Sequence, residues 1–194
     1  MKKTSVRKKE QEFITFTSTL LVMNLFFKFP SIDFTLSEVA KNTGLSKSTV
    51  SKIIKTMREV GFVTITDLGI VYRIRANRDS WVYKREKILN NHASIVRSNV
   101  AEFLDKEFNN PKCIVLFGSF RKGDDDQDSD VDIAVEVNEG VETGSFEYAE
   151  FKEIEEQLKR KITVHVFNRK EVDRNLFTSI ANGILLGGFL EVNK

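Results

Sequence analysis

The chain has 194 residues, of which 41% are hydrophobic and 30% charged, with a single cysteine and two prolines. That composition suits one ordinary globular domain or two small ones, and it excludes an internal disulfide and a Pro-rich linker. The net charge of +2 hides an asymmetry, because residues 1–80 carry +7, residues 81–110 carry +1 and residues 111–194 carry −6, so the front suits a polyanion.

Lys2, Lys3, Arg7, Lys8 and Lys9 precede an apolar stretch from Phe13 to Phe27, which mimics a signal peptide. Glu10, Gln11, Glu12 and Asn24 interrupt that pattern, and Lys28-Phe29-Pro30 offers no small-residue cleavage site. The stretch reads as a first helix over 8–28, in a cytoplasmic protein with no membrane span. Phe13, Phe16, Leu20, Met23 and Phe27 recur at helical spacing, which supplies core and a homodimer seam.

Thr35-Leu36-Ser37-Glu38 is a capping box opening a short helix that stops at Gly44. Ser46 caps a second helix to about Val60. Val50, Ile53, Ile54 and Met57 form its apolar stripe, opposite Ser48, Ser51, Lys52 and Lys55, with Lys47 at the entrance. Two β-rich runs around Asp67-Leu68-Gly69 follow as a hairpin. A helical stretch capped by Asp79 or Ser80 then runs to about Phe108, with Asn90-Asn91 its weakest point and a candidate break between domains. After Pro111 come a strand (112–117), a loop, a strand (130–137), a helix (146–159), a strand (162–167), a helix (170–182) and a last run (184–192). The expected fold is α+β with two domains, in segments 1–78, 79–110 (a linker helix region) and 111–194.

The segment Leu36 to Val50, with the hairpin after it, resembles a winged helix-turn-helix over roughly residues 10–76. The resemblance implies DNA binding, with Lys47, Ser48, Ser51, Lys52 and Lys55 facing the major groove and Arg73 and Arg75 on the hairpin reaching a flanking backbone.

In the back half, the strand from Cys113 ends at Gly118-Ser119, where glycine admits a close ligand and the serine sits where an anion binds. Asp130 and Asp132 flank Val131, so both carboxylates project from one strand face beside that turn, a site for Mg²⁺ on a triphosphate. Asp124, Asp126 and Asp128 alternate like a Ca²⁺ loop, but Ser129 and Val135 stand where that loop needs Gly and Glu; Asp124 to Asp126 read as solvated loop.

Gly118, Ser119, Asp130 and Asp132, at this spacing, resemble the polymerase-β-like nucleotidyltransferase superfamily, in its minimal branch, over about residues 111–192. The resemblance implies a small α/β domain with a mixed sheet. It also implies that Ser119 holds phosphates, Arg121 and Lys122 offset their charge, and Asp130 and Asp132 hold Mg²⁺ or Mn²⁺. It further implies transfer of a nucleoside monophosphate from an NTP, ATP foremost, to a hydroxyl of a protein or small molecule. A helical toxin-like protein is an implied partner. Active members carry a third carboxylate on the next strand; here Thr163 and His165 hold the polar positions and no acid is present. The alternative is therefore a non-catalytic regulator that uses the domain as a nucleotide sensor or partner-binding module. His165 reads as structural more readily than as a base.

Overall fold

The computed structural model describes residues 16–192, whose contacts divide the chain into two units at Tyr83 and Lys84, inside the segment expected to link them. The first unit comprises helix α1 (residues 16–28), α2 (Leu36–Thr43), α3 (Lys47–Glu59) and the antiparallel strands β1 (Val63–Asp67) and β2 (Tyr72–Ala76). α1 buries Val22, Leu25, Phe26 and Phe27 in the core, whereas Phe16 and Leu20 of the expected stripe are exposed and Phe13 lies outside the described residues.

The capping box closes as its chemistry requires. The Thr35 hydroxyl accepts the Glu38 amide at 3.2 Å, and the Thr35 amide donates to Glu38 Oε2 at 2.7 Å. Gly44 then ends α2 in the left-handed region (φ 70°), which turns the chain sharply into α3. The Ser46 hydroxyl accepts the Thr49 amide at 3.1 Å, and α3 buries the stripe Val50, Ile53, Ile54 and Met57. Phe34 exchanges two 2.8 Å backbone bonds with Ile74, a third pairing on the hairpin that sequence pattern does not signal.

The long helix expected to reach Phe108 is two helices, α4 (Trp81–Val96), whose first turn belongs to the first unit, and α5 (Val100–Glu107) of the second. The break falls at Asn99, in the left-handed region (φ 59°), not at Asn90-Asn91. Asn91 instead lies buried within α4, its amide spent on the Phe120 carbonyl and Asp125.

Strand β3 (Cys113–Phe117), helix α6 (Gly118–Lys122), β4 (Val131–Glu136), β5 (Gly144–Phe146), α7 (Lys152–Leu158), β6 (Ile162–Phe167), α8 (Arg174–Ala181) and β7 (Ile184–Gly188) complete the unit. The mixed sheet runs β5-β6-β4-β3-β7, and β4 with β6 is its parallel pair. Strand β3 is apolar on both faces, as burial on both sides demands. One face packs Ile114, Leu116, Ile133 and Val164 against Ile95, Leu104 and Phe151; the other packs Val115, Phe117 and Phe167 against Ile180 of α8.

Two boundaries differ from expectation. Phe146 ends strand β5, paired with Val164, rather than opening a helix; the helical turn starts only at Ala149. Residues 170–173 form a turn on Asn168, and Asp173 caps α8 through the Asn175 and Leu176 amides. Among the described residues no helix is long and apolar enough to cross a membrane.

The loop between α6 and β4 hangs on Asp125. Expected in solvent, it is only 1% exposed. Its Oδ1 lies 3.0 Å from Lys87 Nζ and 2.8 Å from Asn91 Nδ2, and its Oδ2 lies 3.2 Å from Arg160 Nη2. The charge is buried because two cations and an amide meet it there. Asp124, by contrast, pairs with Lys84 at 3.0 Å in solvent, and the Asp126 carboxylate accepts the Asp128 amide and the Ser129 hydroxyl.

Asp125→Ala leaves Lys87 and Arg160 buried without a counter-charge, so it is expected to lower the unfolding free energy by about 3–5 kcal/mol in urea titration. Asp124→Ala is expected to cost less than about 1 kcal/mol in the same titration. Equal costs would remove the special status given to Asp125.

Candidate functional site

The sheet register assembles the polar site. Phe117, the last residue of β3, pairs with Asp132 of β4, so the turn that follows passes over the Asp132 side chain. Gly118 sits in the left-handed region (φ 73°), and a Cβ built there would run into the Asp132 carboxylate, with Cγ only 3.1 Å away. Glycine is required twice over at this point. Ser119 follows on α6, and its carbonyl accepts the Asp124 amide at 3.1 Å, folding the loop back. Arg121 is half-buried and Lys122 exposed in the last turn of α6, and neither forms an ion pair among the described residues.

Asp130 lies one residue before β4 and is exposed; Thr163 Oγ1 donates to its Oδ2 at 3.4 Å. Asp132 lies on β4, half-exposed, paired in register with Thr163. Its Oδ1 is 3.0 Å from His165 Nε2, while His165 Nδ1 is 3.2 Å from Ser145 Oγ on β5. Phe117 packs edge-on to the imidazole, ring centres 5.2 Å apart. Thus Gly118, Asp132 and His165 meet, and Thr163 ties Asp130 to the same face.

The donor chemistry fits one hard divalent cation completed by phosphate oxygens, since such ions take one or two carboxylates and share the rest with substrate. It offers no closed cage: among the described residues no group of three or more His, Cys, Asp or Glu side chains is placed to hold a metal. Glu136, on the same strand, is buried and committed to Arg169, whose Nη2 and Nε lie 2.6 and 3.2 Å away. The Cys113 thiol donates to Glu136 Oε2 at 3.7 Å. Burial first, and the Glu136 charge second, push its pKa from 9.0 to about 12.

On the first unit, Lys47, Ser48, Ser51, Lys52 and Lys55 are all exposed along the side of α3 opposite its buried stripe. Arg73 and Arg75 are already engaged. Arg73 lies 3.6 Å from Glu38, and Arg75 grips Asp33 with bonds of 2.6 and 3.1 Å. Hydrogen bonds from the Thr35 backbone and hydroxyl hold the Glu38 carboxyl below its ordinary value, and Arg73 adds to this. These acids sit 42 and 35 positions from the arginines' own β2 neighbourhood in sequence, as Asp33–Arg75 and Glu38–Arg73, which is why the pairing is invisible to local pattern.

A capped helix, glycine turn and two-faced helix beside a hairpin, together with a glycine-serine turn laid over a strand aspartate on a mixed sheet, define a helix-turn-helix unit fused to a nucleotidyltransferase unit. Family comparison agrees: residues 33–66 match the IclR helix-turn-helix domain and residues 97–186 match the nucleotidyltransferase domain. The chain carries both domains, in that order. No curated protein matches it. Sequence reasoning missed two residues of this neighbourhood. Ser145 lay just ahead of a segment expected to be helical, and Asp125 finds its cations 38 and 35 positions away, beyond any local signal.

The raised Cys113 pKa has a defined sign. Below pH 9.0 the thiol is protonated in both folded and unfolded chains; between 9.0 and about 12 the unfolded chain releases its proton first, so stability falls as pH rises through that window. At pH 8 the native thiolate fraction is ~10³-fold below that of the unfolded chain, so iodoacetamide is expected to label Cys113 only after denaturation. Rapid native labelling would contradict its burial.

Proposed function

We propose that the chain is a DNA-binding protein whose nucleotidyltransferase unit binds a nucleoside triphosphate with Mg²⁺ or Mn²⁺, and transfers the nucleoside monophosphate to a hydroxyl. The observation that carries the reading is the Gly118 turn fitted against Asp132, with Asp130 beside it. In this reading Ser119 receives the terminal phosphates, and Arg121 and Lys122 offset phosphate charge from the open end of α6. Asp130 and Asp132 hold the cation, which, when bound, polarises the phosphates and neutralises charge on the departing pyrophosphate. ATP is the expected nucleotide.

The acidic back unit repels a polyanion, so DNA falls to the first unit. The exposed lysines of α3 support that assignment, with Arg73 and Arg75 set in place by Glu38 and Asp33 rather than free to search. A second reading, a non-catalytic nucleotide sensor, draws support from Thr163 and His165, which place no carboxylate at the polar positions of β6.

Calorimetry with ATP and Mg²⁺ is expected to register binding that Asp130→Asn/Asp132→Asn abolishes, and label from α-³²P-ATP is expected on a hydroxyl acceptor only with the native aspartates. Binding without transfer would favour the sensor. For DNA, Lys52→Ala and Lys55→Ala are each expected to reduce the slope of log affinity against log salt by about 1. An unchanged slope in an electrophoretic titration would place the contact elsewhere.

A further inference from the structure

Ser145, His165 and Asp132 form a hydrogen-bonded chain that the two-aspartate site does not require. Ser145 Oγ lies 3.2 Å from His165 Nδ1, and His165 Nε2 lies 3.0 Å from Asp132 Oδ1. With the Nε2 proton given to the carboxylate, Nδ1 is left as the acceptor for the serine hydroxyl. A base that touches a hydroxyl, and is itself oriented by a third group, is the arrangement that makes a serine nucleophilic. Solvation alone does not account for it, because Ser145 is exposed and water would satisfy an exposed hydroxyl.

Position matters as much as geometry. The strands β3, β4, β6 and β5 are consecutive neighbours, and Ser145 is registered against His165. His165 is itself registered against Ala134 and reaches diagonally to Asp132, so Gly118, Asp132, His165 and Ser145 form a row of contacts rather than one register line. The nucleotide turn stands at one end and a hydroxyl at the other, with the carboxylate between them. Thr143, Gly144, Ser145 and His165 also line an open cleft of about 240 Å³, so the hydroxyl faces space rather than packed chain.

We propose that Ser145 is an acceptor of the transfer reaction, so that the protein nucleotidylylates itself; this rests on the nucleotidyltransferase reading above. Ser145 Oγ bonds to the α-phosphorus of the nucleoside triphosphate as the P–O bond to the β-phosphate breaks. Pyrophosphate departs with that electron pair, the serine proton passes to His165 Nδ1, and a phosphodiester joins Ser145 to the nucleoside monophosphate. Nothing beyond the triphosphate is consumed. The modification is self-limiting, since it converts the hydroxyl in the row to a bulky anion and each chain accepts a single group.

The test uses the full chain with each α-³²P-labelled nucleoside triphosphate and Mg²⁺ or Mn²⁺, followed by denaturation, intact mass and peptide mapping. One nucleoside monophosphate per chain, mapped to Ser145, is the expected result. Ser145→Ala is expected to lose all of this label while still binding nucleotide in calorimetry, Ser145→Thr to regain part of it, and His165→Gln to slow it ~10²-fold. Nucleotide bound with no covalent label, or label at another residue, overturns the assignment of Ser145 and leaves the nucleotide site standing. No nucleotide bound at all overturns both.

Discussion

Asp125 is the fixed point of the nucleotidyltransferase unit. One buried carboxylate collects Lys87 and Asn91 from α4 and Arg160 from the turn before β6. Taking three charged groups out of water is costly, and it is tolerated only where every oxygen meets a donor, as here. The reward is positional. Asn91 also bonds the Phe120 carbonyl of α6, so a single amide ties the helix after the Gly118 turn to the anchor of the loop that follows it. Asp130 emerges from that loop five residues after Asp125 and enters β4 at a determined point. Without the anchor, the exposed stretch from Asp124 to Asp130 would be a run of like charges that repel one another.

Register does the rest. Because side chains alternate along a strand, Asp132, Ala134 and Glu136 share one face of β4, while Val131, Ile133 and Val135 fill the core on the other. A slip of one residue would bury Asp132 among aliphatics and expose Ile133, so the hydrophobic core itself enforces the placement of the acid. The same alternation on β6 turns Thr163 and His165 toward Asp130 and Asp132. Along that face the side chains change character by position. Glu136 is deep and neutralised by Arg169; Asp132 is half-exposed and, among the described residues, bonded on one oxygen only. Two acids four residues apart on one strand thus have different surroundings, one closing the core and one set between the Gly118 turn and His165.

Much of this was legible before any coordinates. The capping box at Thr35, the glycine at 44 and the stripe of α3 depend on neighbours within a turn or two, and local rules describe such features well. Gly118-Ser119 and Asp130-Val131-Asp132 were legible because apolar strands on either side fix their context. What escaped were features decided by distant partners. Asp125 looks like one acid among several until Lys87 and Arg160 arrive from elsewhere in the chain. Asn91 looks like a helix breaker until its amide is seen to be spent on two acceptors. Ser145 was hidden because strand β5 is three residues long and its pairing with β6 comes from the sheet edge rather than from its own propensity.

The exchange of an acid for His165 changes what the site can do. An imidazole contributes no negative charge, so under the proposed function two aspartates would confront a cation and a triphosphate that already carries excess negative charge of its own. That balance suits one shared cation better than two, because each further divalent ion would want further anionic oxygen. A carboxylate at position 165 would also repel Asp132, whereas the imidazole bonds to it and fixes which ring nitrogen faces outward. The chain thus has an imidazole held between Asp132 and Ser145 where the resemblance implies a third carboxylate. The other ring nitrogen meets the hydroxyl of Ser145, on the strand next to it, at 3.2 Å.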